Sequence, residues 1–206
     1  LIGPNGAGKT TAFNLVVGVY KPSEGKVIFD NEDITGLPPN EICKKGIGRT
    51  FQVVKPFGKM TVLQNIMAGA FVNTAKTQEA RQIASEVMEK MGLQSKRDKL
   101  AASLTIPERK RLEMAKALAT RPKLMLLDEV LAGLNPTEIQ DAVLLIKSMI
   151  KDGVTILMIE HVLQATMAIC ERIVVLNYGQ KLAEGTPEQV TGNEEVIKAY
   201  LGDDYA

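Results

Sequence analysis

The chain has 206 residues, 45% hydrophobic and 24% charged, which suits one globular core, and its formal net charge of +1 lacks the basic excess of a nucleic-acid binder. Two cysteines, Cys43 and Cys170, stand far apart without metal spacing; this excludes a disulfide framework and points to a reducing compartment. No apolar run approaches the roughly 20 residues of a membrane span, so any membrane role runs through a partner.

The first predicted element is a loop. The run GPNGAGKT, from Gly3 to Thr10, matches the P-loop pattern of Gly, four residues, Gly, Lys and Ser/Thr. Gly6 and Gly8 let the backbone turn so that successive N–H groups point at phosphate oxygens. Lys9 is placed to reach the β and γ phosphates, and Thr10 to offer a hydroxyl to Mg2+. Thr11 is expected to begin a helix whose N-terminal dipole favours anions. A Gly-rich turn with no ligand fits the motif alone, so the rest of the chain must decide. A P-loop also needs a buried strand before it, and the expectation is that most of this strand lies upstream of Leu1.

Helical spacing covers Thr11 to Val19, followed by a KPSEG turn. Val27 to Asp30 reads as a strand, Asn31 to Asn40 as a polar turn region, Glu41 to Lys45 as a short helix, and Ile47 to Val53 as a strand that carries Gln52. Helices are expected at Thr61–Ala70, at Gln78–Met91 with Gly92 as C-cap, and from Pro107 to Thr120. Strand and helix then alternate: Leu124–Leu127, Pro136–Lys151, Val154–Ile159, Leu163–Cys170 and Ile173–Asn177. Apolar strands separated by helices imply parallel crossovers, and a final strand, Lys181–Glu184, folds back through an Asn177–Gln180 hairpin turn.

The second chemical motif is the apolar strand Leu124–Leu127 running into Asp128 and Glu129. A buried strand of this kind delivers acids to the carboxyl edge of the sheet, where α/β folds bind ligands. Asp128 is placed to hold Mg2+ through its water shell, and Glu129 to polarise a water for in-line attack on a γ-phosphate. His161, the one histidine, follows another apolar strand; it fits both a structural role and a hydrogen-bond donor to that phosphate. Gln52 carries the same two readings.

Together these motifs resemble the ATP-binding-cassette (ABC) ATPases over the whole chain. The resemblance implies an α/β P-loop fold with a mostly parallel sheet, a small antiparallel β portion and an inserted helical subdomain at about 57–118 of a single 1–206 domain. It places the P-loop at Gly3–Thr11, the Q-loop at Gln52, the signature region at Leu104–Glu108, the D-loop at Ala132–Asn135 and the switch histidine at His161. The stretches GIGRTFQ, TVLQNIMAGA, AGLNPTE and VIKAYLG look like ATPase subunits of branched-chain amino-acid importers. The implied ligands are ATP and Mg2+. Asn5, Gly6, Ala7, Gly8, Lys9, Thr10 and Thr11 would hold the nucleotide, with Thr105 and Glu108 covering it from a second subunit; Thr10, Gln52 and Asp128 would hold the metal; and Glu129, His161, Lys9 and Gln52 would form the catalytic set. The implied partners are a second ABC ATPase subunit, identical or different, and membrane permeases, with peripheral attachment at the cytoplasmic face and no nucleic acid. The family's adenine-stacking aromatic would precede Leu1.

Two departures from the family pattern stand out. The usual Leu-Ser-Gly-Gly-Gln signature reads Leu104-Thr105-Ile106-Pro107-Glu108, and Pro107 has no N–H to give, so weaker hydrolysis at the opposite site is expected. Asn135 replaces the commoner Asp of the D-loop, in keeping with the importer subgroup. Alternatives are another ABC transport system, a soluble ABC ATPase, which would need heptad arms, a zinc insertion or tandem cassettes, and a poorly hydrolysing regulatory subunit motivated by Pro107.

Overall fold

The computed structural model describes residues 1–201, the last two as backbone; Gly202, which closes the VIKAYLG tail, lies outside the described residues. The P-loop turns directly into α1 (Lys9–Val16). This helix begins earlier than expected because Gly8, at φ +94°, already serves as its N-cap. It also stops short of Val19: Gly18 takes φ +73°, and a Cβ there would stand 2.1 Å from the Leu37 carbonyl oxygen. The expected Val27–Asp30 strand is instead half of a hairpin, β1 (Ile28–Phe29) with β2 (Glu32–Asp33), turned by Asp30 and Asn31 at φ +53° and +64°. After α2 (Pro39–Lys44) comes β3 (Ile47–Arg49), which is shorter than the sequence suggested. Its ladder is closed by a side chain, since Asp128 N donates to Thr50 Oγ1 at 3.1 Å where a main-chain carbonyl would otherwise accept. Phe51 and Gln52 therefore leave the sheet, and the expectation that Gln52 sits in a strand is corrected.

Between β3 and the next strand lie α3 (Val62–Ala70), α4 (Thr77–Lys90), two 3-10 turns and α5 (Ile106–Leu118). α3 and α5 start at the capping boxes Thr61/Gln64 and Thr105/Glu108. The two helices touch backbone to backbone: a Cβ on Gly69 would lie 2.2 Å from the Lys116 carbonyl oxygen. The second half continues with β4 (Leu124–Asp128), α6 (Pro136–Lys151), β5 (Thr155–Ile159), α7 (Leu163–Ile169), β6 (Ile173–Asn177) and β7 (Gln180–Gly185). It closes with α8 (Pro187–Thr191) and α9 (Glu194–Leu201), two helices that hydrophobic spacing had not announced. The Thr186/Gln189 capping box at the head of α8 was nevertheless a readable start signal.

β3, β4 and β5 form a parallel sheet in that order, with β4 in the middle. β6 and β7 are antiparallel around Tyr178 and Gly179, both at positive φ. Leu1 and Ile2 run beside β6: Ile2 N donates to Val174 O, Leu176 N donates to Ile2 O, both at 2.9 Å, and the Leu1 amino nitrogen donates to Met158 O at 2.7 Å. β4 is buried on both faces. Met125 and Leu127 enter a core shared with the helices, including Ile66, Met88, Leu112, Ile146 and Met149. Leu126 enters the opposite core with Phe13, Ile34, Ile42 and Ile159.

The α3–α5 contact leaves no room for a methyl group. Gly69→Ala is expected to lower stability by about 1–3 kcal/mol through overpacking, read as a lower urea midpoint at unchanged m.

Candidate functional site

The P-loop is held open by main-chain bonds. Ala7 N donates to Pro4 O at 3.2 Å, and the Ala7 carbonyl accepts from Gly179 N at 3.1 Å, which ties the loop to the β6–β7 hairpin. Where a Cβ on Gly6 would project there is no atom within 4 Å among the described residues, so the loop presents backbone there. Lys9 is buried with its Nζ donating to the carbonyls of Gly3 (2.8 Å) and Pro4 (2.9 Å). Burial pushes its pKa down, opposed by the carboxylates of Glu129 and Asp128, so the acid pair lies within electrostatic reach of the loop. Asn5, Thr10 and Thr11 are exposed, the two threonines in the first turn of α1.

Asp128 ends β4 at 1% exposure. Its Oδ2 accepts from Arg49 Nη2 at 2.9 Å, while Oδ1 is buried without a hydrogen-bond partner among the described residues. The Arg49 guanidinium is fixed in turn: Nη1 donates to Asn14 Oδ1 at 2.5 Å, and the group lies 5.7 Å and 5.3 Å from the ring centres of Phe13 and Phe51. The adjacent Glu129 departs from the strand at φ +50°, a left-handed conformation that redirects its side chain. There it meets two groups from distant segments. Gln52 Nε2 donates to Glu129 Oε2 at 2.6 Å, and His161 Nε2 stands 3.1 Å from Glu129 Oε1.

The structure thus gathers Gln52, Glu129 and His161 beside Asp128, with Lys9 in electrostatic reach. It does not bring Thr105 or Glu108 there. Thr105 N donates to Glu108 Oε2 at 2.9 Å, Glu108 N donates to Thr105 Oγ1, and Glu108 also pairs with Lys96 at 2.9 Å, which holds its carboxyl below the usual range. Within this one chain both residues cap α5. α5 begins at Ile106, so Pro107 occupies a first-turn position whose N–H has no intrahelical partner, and the helix loses nothing by it. Asn135 likewise caps α6, its Oδ1 accepting from Glu138 N at 3.0 Å. Arg49 and Asn14 escaped the sequence reading as site residues; a lone arginine at the end of an apolar β-strand was the available signal.

A glycine-rich loop running into a helix N-terminus, next to a buried strand tipped by two acids, is the arrangement of P-loop nucleotide-binding α/β proteins. This chain belongs to the ABC transporter family, whose model matches residues 1–132, while a model for the branched-chain amino acid ATP-binding cassette transporter matches residues 180–206. Similar curated proteins include the high-affinity branched-chain amino acid transport ATP-binding proteins BraF of Pseudomonas aeruginosa (42% identical) and LivG of Escherichia coli strain K12 (41%), each aligned over 98% of this chain and 86% of the relative. The lipopolysaccharide export system ATP-binding protein LptB of Haemophilus influenzae is 39% identical over the whole chain and 86% of its own length. Among solved structures, a nucleotide-free ATP-binding cassette from an ABC transporter superposes at TM-score 0.88 with 32% identity, covering 98% of this chain and 87% of that one. The ADP conformation of the cassette MJ1267 superposes at TM-score 0.86, with 32% identity over 98% and 86%.

Removing Arg49 strands a buried carboxylate. Arg49→Met is expected to cost about 3–5 kcal/mol in urea unfolding, with part of it recovered when Asp128→Asn is added.

Proposed function

We propose that this chain is the ATP-binding and ATP-hydrolysing subunit of a membrane importer, with branched-chain amino acids as cargo. The observation that carries the reading is the convergence of Gln52 and His161 on the Glu129 carboxylate, one residue beyond the buried Asp128. The residues fit Mg2+ and ATP. The cradle is bare backbone at Gly6, Lys9 supplies a cation, and Asp128 Oδ1 is an orphaned acceptor suited to a metal-bound water. Asn5, Gly6, Ala7, Gly8, Lys9, Thr10 and Thr11 hold the polyphosphate through main-chain N–H groups, the Lys9 ammonium and the α1 dipole. Thr10, Gln52 and Asp128 would hold Mg2+, Asp128 through a metal-bound water, and the metal would supply charge neutralisation to the polyphosphate.

Glu129 orients the attacking water and accepts its proton, and His161 donates to the γ-phosphate oxygen. Thr105 and Glu108 act in trans: the α5 N-terminus of a second ATPase subunit closes over the nucleotide. The solved dimer of the cassette MJ0796 bound to ADP and Pi, at TM-score 0.80 and 26% identity over 90% of this chain and 83% of that one, supports a two-subunit clamp. Among the described residues no helix is long and apolar enough to cross a membrane, so the reading assigns membrane attachment to permease partners, at their cytoplasmic face. The relatives named for lipopolysaccharide export keep a second cargo in view, and the match of residues 180–206 to the branched-chain amino acid model favours the first.

Glu129→Gln is expected to bind MgATP with near wild-type affinity and to lose about 10²–10⁴-fold in turnover; a variant hydrolysing at the wild-type rate would remove Glu129 as the base. Pro107→Gly restores an N–H at the head of α5. It is expected to raise turnover of the assembled dimer by about tenfold, the worth of one charge-assisted hydrogen bond, and an unchanged rate would show that the proline costs nothing.

A further inference from the structure

Glu129 is a non-glycine residue in a left-handed conformation, and such strain persists only where the surroundings over-determine it. The turn from Glu129 to Ala132 is tied at the main-chain N–H and carbonyl groups of Glu129, Leu131 and Ala132. Glu129 N donates to Ile159 O at 2.9 Å, and the Glu129 carbonyl accepts from Ala132 N at 3.3 Å. The Leu131 carbonyl accepts from Leu134 N at 3.2 Å, and further ties come from two buried charged side chains that the proposed chemistry does not use. Lys110, on α5, is 8% exposed, and its Nζ donates to the carbonyls of Glu129 (3.3 Å) and Ala132. Glu160, at the end of β5, is 2% exposed, and its Oε1 accepts from Leu131 N at 2.8 Å. Burial pushes the Lys110 ammonium down and the Glu160 carboxyl up in pKa, and in each case the opposite charge of the other resists the shift.

We propose that Lys110 and Glu160 are positioning residues that lock the Glu129–Ala132 turn and so aim the Glu129 carboxylate, with Lys110 making α5 and that carboxylate one mechanical unit. The proposal rests on the reading of Glu129 as the base. α5 carries Thr105 and Glu108 at its N-terminus, so a shift of that helix moves the two carbonyls that Lys110 holds, and through them the strained residue. Neither side chain touches the P-loop or the Glu129 carboxylate by hydrogen bond among the described residues, which is why losing them should alter turnover and not nucleotide binding.

The test uses the full chain and compares turnover, MgATP affinity by fluorescent-nucleotide titration, and thermal midpoint. Lys110→Met alone leaves Glu160 buried without its counter-charge, so the informative variant is K110M/E160Q, in which both charges go and the amide oxygen introduced at position 160 can still accept from Leu131 N. A midpoint near wild type, MgATP affinity within threefold and turnover reduced at least tenfold would support the lock, since misplacement of a reacting group by about 1 Å costs on the order of 10²-fold. Turnover within twofold of wild type would overturn it, as would turnover and affinity falling in parallel. Should the double variant not fold, Glu160→Ala carries the same test: it removes the Leu131 tie together with the counter-charge of Lys110 and leaves the Glu129 carboxylate untouched, so tenfold lower turnover at unchanged affinity supports the lock and wild-type turnover overturns it. Glu129→Gln runs beside them. If it hydrolyses normally, the base assignment itself falls; if it is inactive while K110M/E160Q is active, only the lock falls.

Discussion

The structure turns on one buried ion pair, Arg49 with Asp128. β4 is apolar on both faces, an environment in which a terminal carboxylate would be expensive to keep charged. Arg49 makes it tenable by supplying a planar cation at 2.9 Å, itself clamped by Asn14 and two aromatic rings. That pair draws α1, β3 and β4 to one point. It also uses only one oxygen of Asp128, which leaves the other as a buried acceptor with no donor among the described residues.

From that anchor the chain makes an abrupt change of direction. Asp128 stays in register with Ile159, whereas Glu129 turns away at φ +50° and projects its carboxylate toward Gln52 and His161. Two neighbouring acids with the same chemistry therefore hold different stations, one paired and enclosed, one partly exposed against Gln52 and His161. Backbone conformation, and not residue type, separates an enclosed, ion-paired acid from a partly exposed one.

Much of this was legible from short-range patterns. GPNGAGKT specifies its own geometry because every position within it acts on the local backbone, and α6 ran as expected from Pro136 to Lys151 because a capping residue precedes it and Gly153 follows. The acids at the end of an apolar run told of a buried strand edge. Other features depend on partners far away in sequence. β3 ends early because the hydroxyl of Thr50 completes a ladder with Asp128, and α1 ends early because of a carbonyl on Leu37. The β1–β2 hairpin has strands too short for alternation to register. Arg49, Lys110 and Glu160 looked like ordinary charged residues until packing showed each of them buried against a specific group. Thr105 and Glu108 cap their own helix in a single chain, so any duty toward a nucleotide belongs to an assembly.

The bond from Gly179 N to the Ala7 carbonyl gives the C-terminal hairpin a stake in the opening motif. Most of the chain separates the two in sequence, yet the tip of the β6–β7 turn acts as a staple on the glycine bend. Lengthening that turn, or grafting a label onto it, would loosen the cradle from behind without altering one residue of the motif that defines it.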